Sequence, residues 1–312
     1  MNKFIILADV TCDLSEALRT QFGVKDYIQG YVHFSDGRDF RSTLDWSNVT
    51  RESFYRDLSD RKMKITTAPA SPEDYYETFC RYAEDGYDVL SISISGGVST
   101  TYASAKKAAE RAAAEFPERK IYALDSERMS GGFGLLVLYA HALQSEGKSM
   151  DEVIETIEGM RQRVHQMGPI DDLMFVARRG RISTGKAILG SFAGVKPMGD
   201  CNAEGYVTVL AKAKGMKKAL AVTAAYVERT AVDIENQYVL ITHSNREEYA
   251  EQLRALIKDR LHPREVLVSD VFAAGGANIG PGMVCAYFLG APLSPDGEQE
   301  KENMTLALEA CQ

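Results

Sequence analysis

The chain has 312 residues, 45% of them hydrophobic and 26% charged. That length and balance suit two globular domains with separate cores and exclude a disordered chain. A net charge of −8 argues against nucleic acid or an anionic membrane as partner, so an anionic ligand would need local positive charge at its site.

Phe4–Ala8 is a short apolar run ending at Asp9 and reads as a buried strand. Ser15 caps a short helix, and Tyr27–Phe34 reads as one strand that turns at Asp36-Gly37 into Arg38–Phe40. Thr50 opens a helix to about Leu58. Ser71-Pro72-Glu73-Asp74 is a strong helix start, with a cap, a proline at the first position and acids in the first turn. That helix ends near Gly86. Strands Val89–Ile94 and Ile121–Leu124 then alternate with helices Thr101–Phe116 and Gly131–Glu146. Ser149 and Glu152 form a capping box for a helix to about Val164.

The second half predicts strands at Leu173–Val176, Gly194–Pro197, Tyr206–Ala211, Tyr238–Thr242 and Glu265–Val271. Asn202–Gly205 is a turn, and Met216 to about Ile234 and Glu247–Leu261 are helices. Ser294–Asn303 reads as a polar linker before a short terminal helix, Met304–Ala310. The whole is a two-domain α/β protein. Residues 1–150 form a mainly parallel, helix-covered sheet, and residues 151–312 an α+β domain with a mixed or antiparallel sheet.

Met1–Asp9 lacks the basic start and cleavage site of a signal peptide, and no apolar stretch reaches the roughly 18 residues of a membrane helix. The expected location is cytoplasmic, without integral membrane attachment. The five cysteines and five histidines are scattered without ligand spacing, so neither disulfides nor a metal site is expected.

Four segments are rich in hydroxyls or glycine: Asp9–Leu14, Thr66–Ser71, Ser95–Tyr102, and Asp125-Ser126 with Ser130–Gly134. All four are read as following strands of one sheet, where α/β proteins bind ligands. Helix N-termini and Ser/Thr hydroxyls together suit a carboxylate or phosphate, although Ser and Thr also serve as ordinary helix caps. Gly180–Lys186 fits the phosphate-loop spacing, but Ala187 stands where a Mg²⁺-binding hydroxyl is needed, and Arg178-Arg179 is no apolar strand. A serine-hydrolase reading would use Ser99 or Ser126 as nucleophile. It finds no G-x-S-x-G, and its one candidate base, His243, reads better as a satisfied histidine.

Taken in order, these motifs resemble the DegV family of bacterial fatty-acid-binding proteins over roughly residues 3–290. Asp9–Leu14 is similar to its D-S-x-x-D-L, Thr66–Pro69 to T-S-Q-P, and Val98–Ala105 to L-S-G-T-Y-Q-S-A. Arg179–Ser183 is similar to G-G-R-I-S, Lys196-Pro197 to K-P, and Gly280–Gly282 to G-P-G. The resemblance implies a long-chain fatty acid held between two α/β domains, with the acyl chain in an apolar tunnel. It places Thr66 and Ser99 on the carboxylate, and Thr67, Thr101, Ser126, Ser130 and Arg181 around the ligand. It further implies that a separate fatty-acid kinase phosphorylates the bound carboxyl group, with no catalytic residue or cofactor in this chain. Two positions depart from the pattern: Asn278 stands where H-x-G-P-G has His, and Lys214 where an Arg precedes Lys217-Lys218-Ala219. Two other readings stay open: a serine-dependent hydrolase, and a lipid-binding relative that no longer serves a kinase.

Overall fold

A computed structural model describes residues 3–180 and 194–312. Four parallel strands form the first sheet, in the order β2 (Tyr27–Ile28), β1 (Phe4–Asp9), β6 (Asp88–Ser93), β7 (Ile121–Asp125). Every residue of β6 is buried, as expected of a central strand covered by helices on both faces. On one side lie α3 (Pro72–Glu84) and α4 (Thr101–Glu115). On the other lies α5 (Ser130–Ser145), apolar around nearly its whole circumference. α5 also packs on α6 (Met150–Arg161) and on three strands of the second sheet, so one core runs between the sheets.

The second sheet is mixed. Its order is β10 (Val207–Lys214), β9 (Val195–Cys201), β8 (Val164–Pro169), β13 (Val284–Leu289), β11 (Tyr238–His243), β12 (Glu265–Asp270). Only β11 and β12 are parallel. Its outer face is covered by α8 (Met216–Thr230), α9 (Glu247–Leu261) and α11 (Glu298–Glu309). A small antiparallel sheet, β4 (Asp39–Arg41), β3 (Tyr31–Phe34), β5 (Ile65–Ala68), packs with α2 (Arg51–Ser59) and α10 (Ala273–Ile279). The two remaining helices are α1 (Glu16–Phe22) and α7 (Leu173–Arg178). The capping boxes Ser71/Asp74 and Ser149/Glu152 both form. No described helix is long and apolar enough to cross a membrane.

Several expectations are corrected. Tyr27–Phe34 is two strands in different sheets. The break falls at Gly30, where any Cβ would stand 2.8 Å from the Ala68 carbonyl oxygen. Leu173–Val176 is helical: Asp172 caps Phe175 N–H at 2.9 Å, and Leu173 and Val176 are buried one turn apart. Val164 opens β8 instead of ending α6. β8 is buried on both faces, so it lacks the alternation that marks a strand. The helix read to Ile234 stops at Thr230. The polar stretch read as a linker is tied down, because Ser294 bonds the buried Glu300 carboxylate and α11 begins at Glu298. β5, α10 and β13 had no counterpart in the sequence reading.

Candidate functional site

Because β1, β6 and β7 are parallel, their carboxyl ends share one edge, and the loops after them meet there. Two aspartates lock this edge. One Asp9 oxygen accepts from Ile94 N–H at 2.8 Å, tying β1 to β6, while the other caps Thr11. Asp125 accepts from Gly96 N–H and Glu127 N–H. Within the loop the amides of Gly97, Val98, Ser99 and Thr101 are also engaged.

The second segment does not follow a strand of this sheet. Thr66 and Thr67 lie within β5, paired with His33 and Val32 of β3. β5 is brought to the edge by its packing on α10. Side chains alternate along a strand, so Thr67 faces inward. Thr66 is exposed and lines neither cavity described below. On β5 it is Thr67, not the Thr66 read for the carboxylate, that lines the polar cavity.

Two cavities join at this edge. One is polar, lined by Thr11, Thr67, Ser99, Thr100 and Thr101 beside Gly96-Gly97. The other is apolar and lies between the first and second sheets, walled by residues such as Ile94, Met129, Ile170, Val271 and Ile279. Its empty space, open solvent at the mouth included, is about 890 Å³. Thr11, Val98 and Ala274 line both, so the two cavities adjoin. At the junction Asn278 donates through Nδ2 to Thr67 Oγ1 at 3.1 Å and to the Ala274 carbonyl at 3.0 Å. Ser99 Oγ and Thr101 Oγ1 are 2.7 Å apart.

Of the residues read from the sequence, Thr67, Ser99, Thr101, Ser130 and Asn278 line these cavities. Ser126 does not: its buried hydroxyl closes a turn, donating to the Arg128 carbonyl and accepting from Arg128 N–H. Lys214 is exposed at the end of β10 and lines neither cavity. Arg181 lies outside the described residues, as do Ser183, Lys186 and Ala187. His243 is buried, accepts from Arg246 N–H at 3.3 Å and stands 3.5 Å from Asp270. Burial holds its pKa below the usual imidazole value, and it lines neither cavity. It is a satisfied core histidine.

Asp13 was quoted only as part of a motif, yet it lines the apolar cavity. One carboxylate oxygen accepts from Phe272 N–H at 2.9 Å and the other from Ser130 Oγ at 2.7 Å. Both Asp13 and Ser130 have left-handed backbones, at φ 53° and 48°, a conformation side chains hold only when their surroundings enforce it. Complete burial raises the Asp13 pKa to about 8 despite those hydrogen bonds. Nothing in its sequence context marks it as buried. Tyr287 and Gln166, which also line the cavity, stand on strands that carry no alternation.

The DegV family model, described as uncharacterised proteins, matches residues 3–290. A DegV domain-containing protein of Clostridium perfringens is 30% identical over 295 residues, covering 95% of this chain and all of its own. Among solved structures, a Thermus thermophilus DegV family protein described by its fatty acid binding is 29% identical, with TM-score 0.79. That match covers 93% of this chain and 100% of the Thermus one. A DegV lipid binding protein from Thermotoga maritima has TM-score 0.80 at 20% identity, covering 94% and 100% of the two chains.

Proposed function

This chain belongs to the DegV family, and from that premise we propose that it binds a long-chain fatty acid as a carrier, with no catalytic residues of its own. The acyl chain fills the apolar cavity between the sheets, and the carboxylate sits in the polar cavity against Thr67, Ser99 and Thr101. The adjacency of these two cavities across Thr11, Val98 and Ala274 carries the reading. An amphiphile needs both environments in series. The fatty acid binding of the Thermus relative supports it.

Magnitudes divide the labour. Burying one methylene contributes about 0.8 kcal/mol, so fourteen would contribute roughly 11 kcal/mol before the costs of immobilisation. A hydroxyl bond to a charged carboxylate adds about 1.5–3 kcal/mol. The cavity then sets affinity, and the hydroxyls set where the head group lies. On this reading the chain divides near residue 150, and residues from both parts wall the acyl site.

Presentation to a separate fatty-acid kinase belongs to the same proposal, with a reservation built into the chain. Asn278 stands at the junction of the cavities and carries no charge at any pH, whereas a histidine there could become cationic and stabilise an acyl phosphate. Transfer should be weak in the parent and rise in Asn278→His by more than affinity does, in an assay reconstituted with a DegV-partner kinase. If the parent already matches a His-bearing relative, that part of the reading fails.

The main test is mass spectrometry of the purified protein under native and denaturing conditions. The expected difference is the mass of one long-chain acid. Ligand-free preparations that also take up no added fatty acid would overturn the proposal.

A further inference from the structure

Gln166 and Gly168 of β8, and Ile170 just after it, face the apolar cavity, while Met167 belongs to the opposite core. Gln166 is 7% exposed. Its backbone N–H donates to Asp200, but its side-chain carboxamide has no hydrogen-bond partner among the described residues. The other polar side chains on this wall are engaged. Asp13 and Ser130 bond each other, Thr11 bonds Asp9, and the Tyr287 hydroxyl accepts from Thr242. Gln166 pairs across the sheet with Tyr287, so both project into the same part of the cavity.

The amide faces the open space of the cavity, so a ligand filling that space displaces the water that would otherwise meet its two donors and its acceptor. A plain methylene chain lying against it would leave all three unmet.

Building on the fatty-acid reading, we propose that Gln166 is a specificity-determining residue that selects acyl chains bearing an oxygen function, a hydroxyl or keto group, where the chain crosses β8. The ligand class is an oxygenated long-chain fatty acid. Its mid-chain oxygen accepts from the amide N–H₂, and a hydroxyl can also donate to the amide oxygen.

The test compares delipidated parent and Gln166→Leu, close in volume, against palmitate and a series of hydroxy- and keto-palmitates scanned along the chain. One position of oxygenation should bind the parent about tenfold more tightly than palmitate, as one well-made buried hydrogen bond allows. Gln166→Leu should lose that preference and bind palmitate as well as the parent or better. Two results overturn the inference alone: the parent binding palmitate more tightly than every oxygenated acid, as it would if a bound water satisfied the amide, or Gln166→Leu keeping the preference. If neither palmitate nor any oxygenated acid binds the parent, the fatty-acid reading itself falls.

Discussion

Thr67 and Ser99 sit in loop and edge positions outside the hydrophobic clusters, so truncating either hydroxyl should spare the fold. Thr67→Ala and Ser99→Ala are each expected to weaken fatty-acid binding about tenfold with an unchanged melting temperature. Thr66→Ala, one residue away on the exposed face, should leave binding unaltered. Equal losses in all three variants would show that β5 presents its other face to the ligand. Asp13 gives a pH signature. Its carboxyl has an ordinary pKa near 3.8 and about 8 in the fold, raised by burial. Below both values it is neutral in either state. As pH rises through that window the unfolded chain releases a proton that the native protein keeps, so native stability falls between about pH 4 and 8 and then levels off. Asp13→Asn keeps an oxygen acceptor for Phe272 N–H and removes the titration. Its melting temperature should decline less from pH 5 to 8 than the parent's, and parallel curves would refute the assignment. The hydroxyl-rich site was legible because helix starts concentrate such residues. The buried carboxyl and Gln166 were not, because burial is a property of the assembled sheets.

At the level of elements, capping chemistry was the most readable signal. Ser71/Asp74 and Ser149/Glu152 begin helices where their side chains demand it. Several of the failures share a cause. β8 and β13 are buried on both faces, and Leu173–Val176 is a four-residue apolar run. Periodicity cannot separate strand from helix in such segments. The Asn202–Gly205 turn shows what sequence could and could not say. It was readable as a turn, but not as the link between sheets. Gly205 has φ +80°, and any Cβ on it would stand 2.4 Å from Ser95 Oγ and 2.8 Å from the Glu127 carbonyl oxygen. Gln162 Nε2 donates to the Ala203 carbonyl and to Glu127 at the same seat. The β9–β10 hairpin therefore rests directly on the loops that follow β6 and β7. Gly205→Ala combines a disfavoured left-handed conformation with this close approach, and is expected to lower unfolding stability by about 1–3 kcal/mol. Urea titration measures this, and a variant as stable as the parent would mean that the hairpin is not held there. Because Ser95 opens the loop carrying Ser99, ligand affinity should fall as well.

Across the whole molecule, the apolar cavity takes one wall from each sheet: Ile94, Met129 and Ser130 from the first, Gln166, Ile170 and Tyr287 from the second. On the proposed function, an acyl chain filling it would complete a core shared by the two sheets, so chain length, cavity filling and stability should move together. Each methylene added to a saturated acid buries about 0.8 kcal/mol of apolar surface, which is roughly a fourfold gain in affinity per carbon. That gain continues only while empty cavity remains. Beyond it, the added carbon must protrude into solvent or strain close-packed walls, and the slope should drop to zero or reverse. Displacement titrations with saturated acids from ten to twenty carbons on delipidated protein should show this break. The melting temperature at a fixed hundredfold excess over Kd should stay near a common ligand increment of about 2.7 kcal/mol. At a fixed ligand concentration it should instead climb with chain length and plateau at the same carbon number. Matching breaks in the two measurements place the acyl chain in the shared cavity. A steady affinity gain through twenty carbons, or a plateau in one measurement without the other, would place it elsewhere, with the apolar space between the sheets left unfilled by ligand.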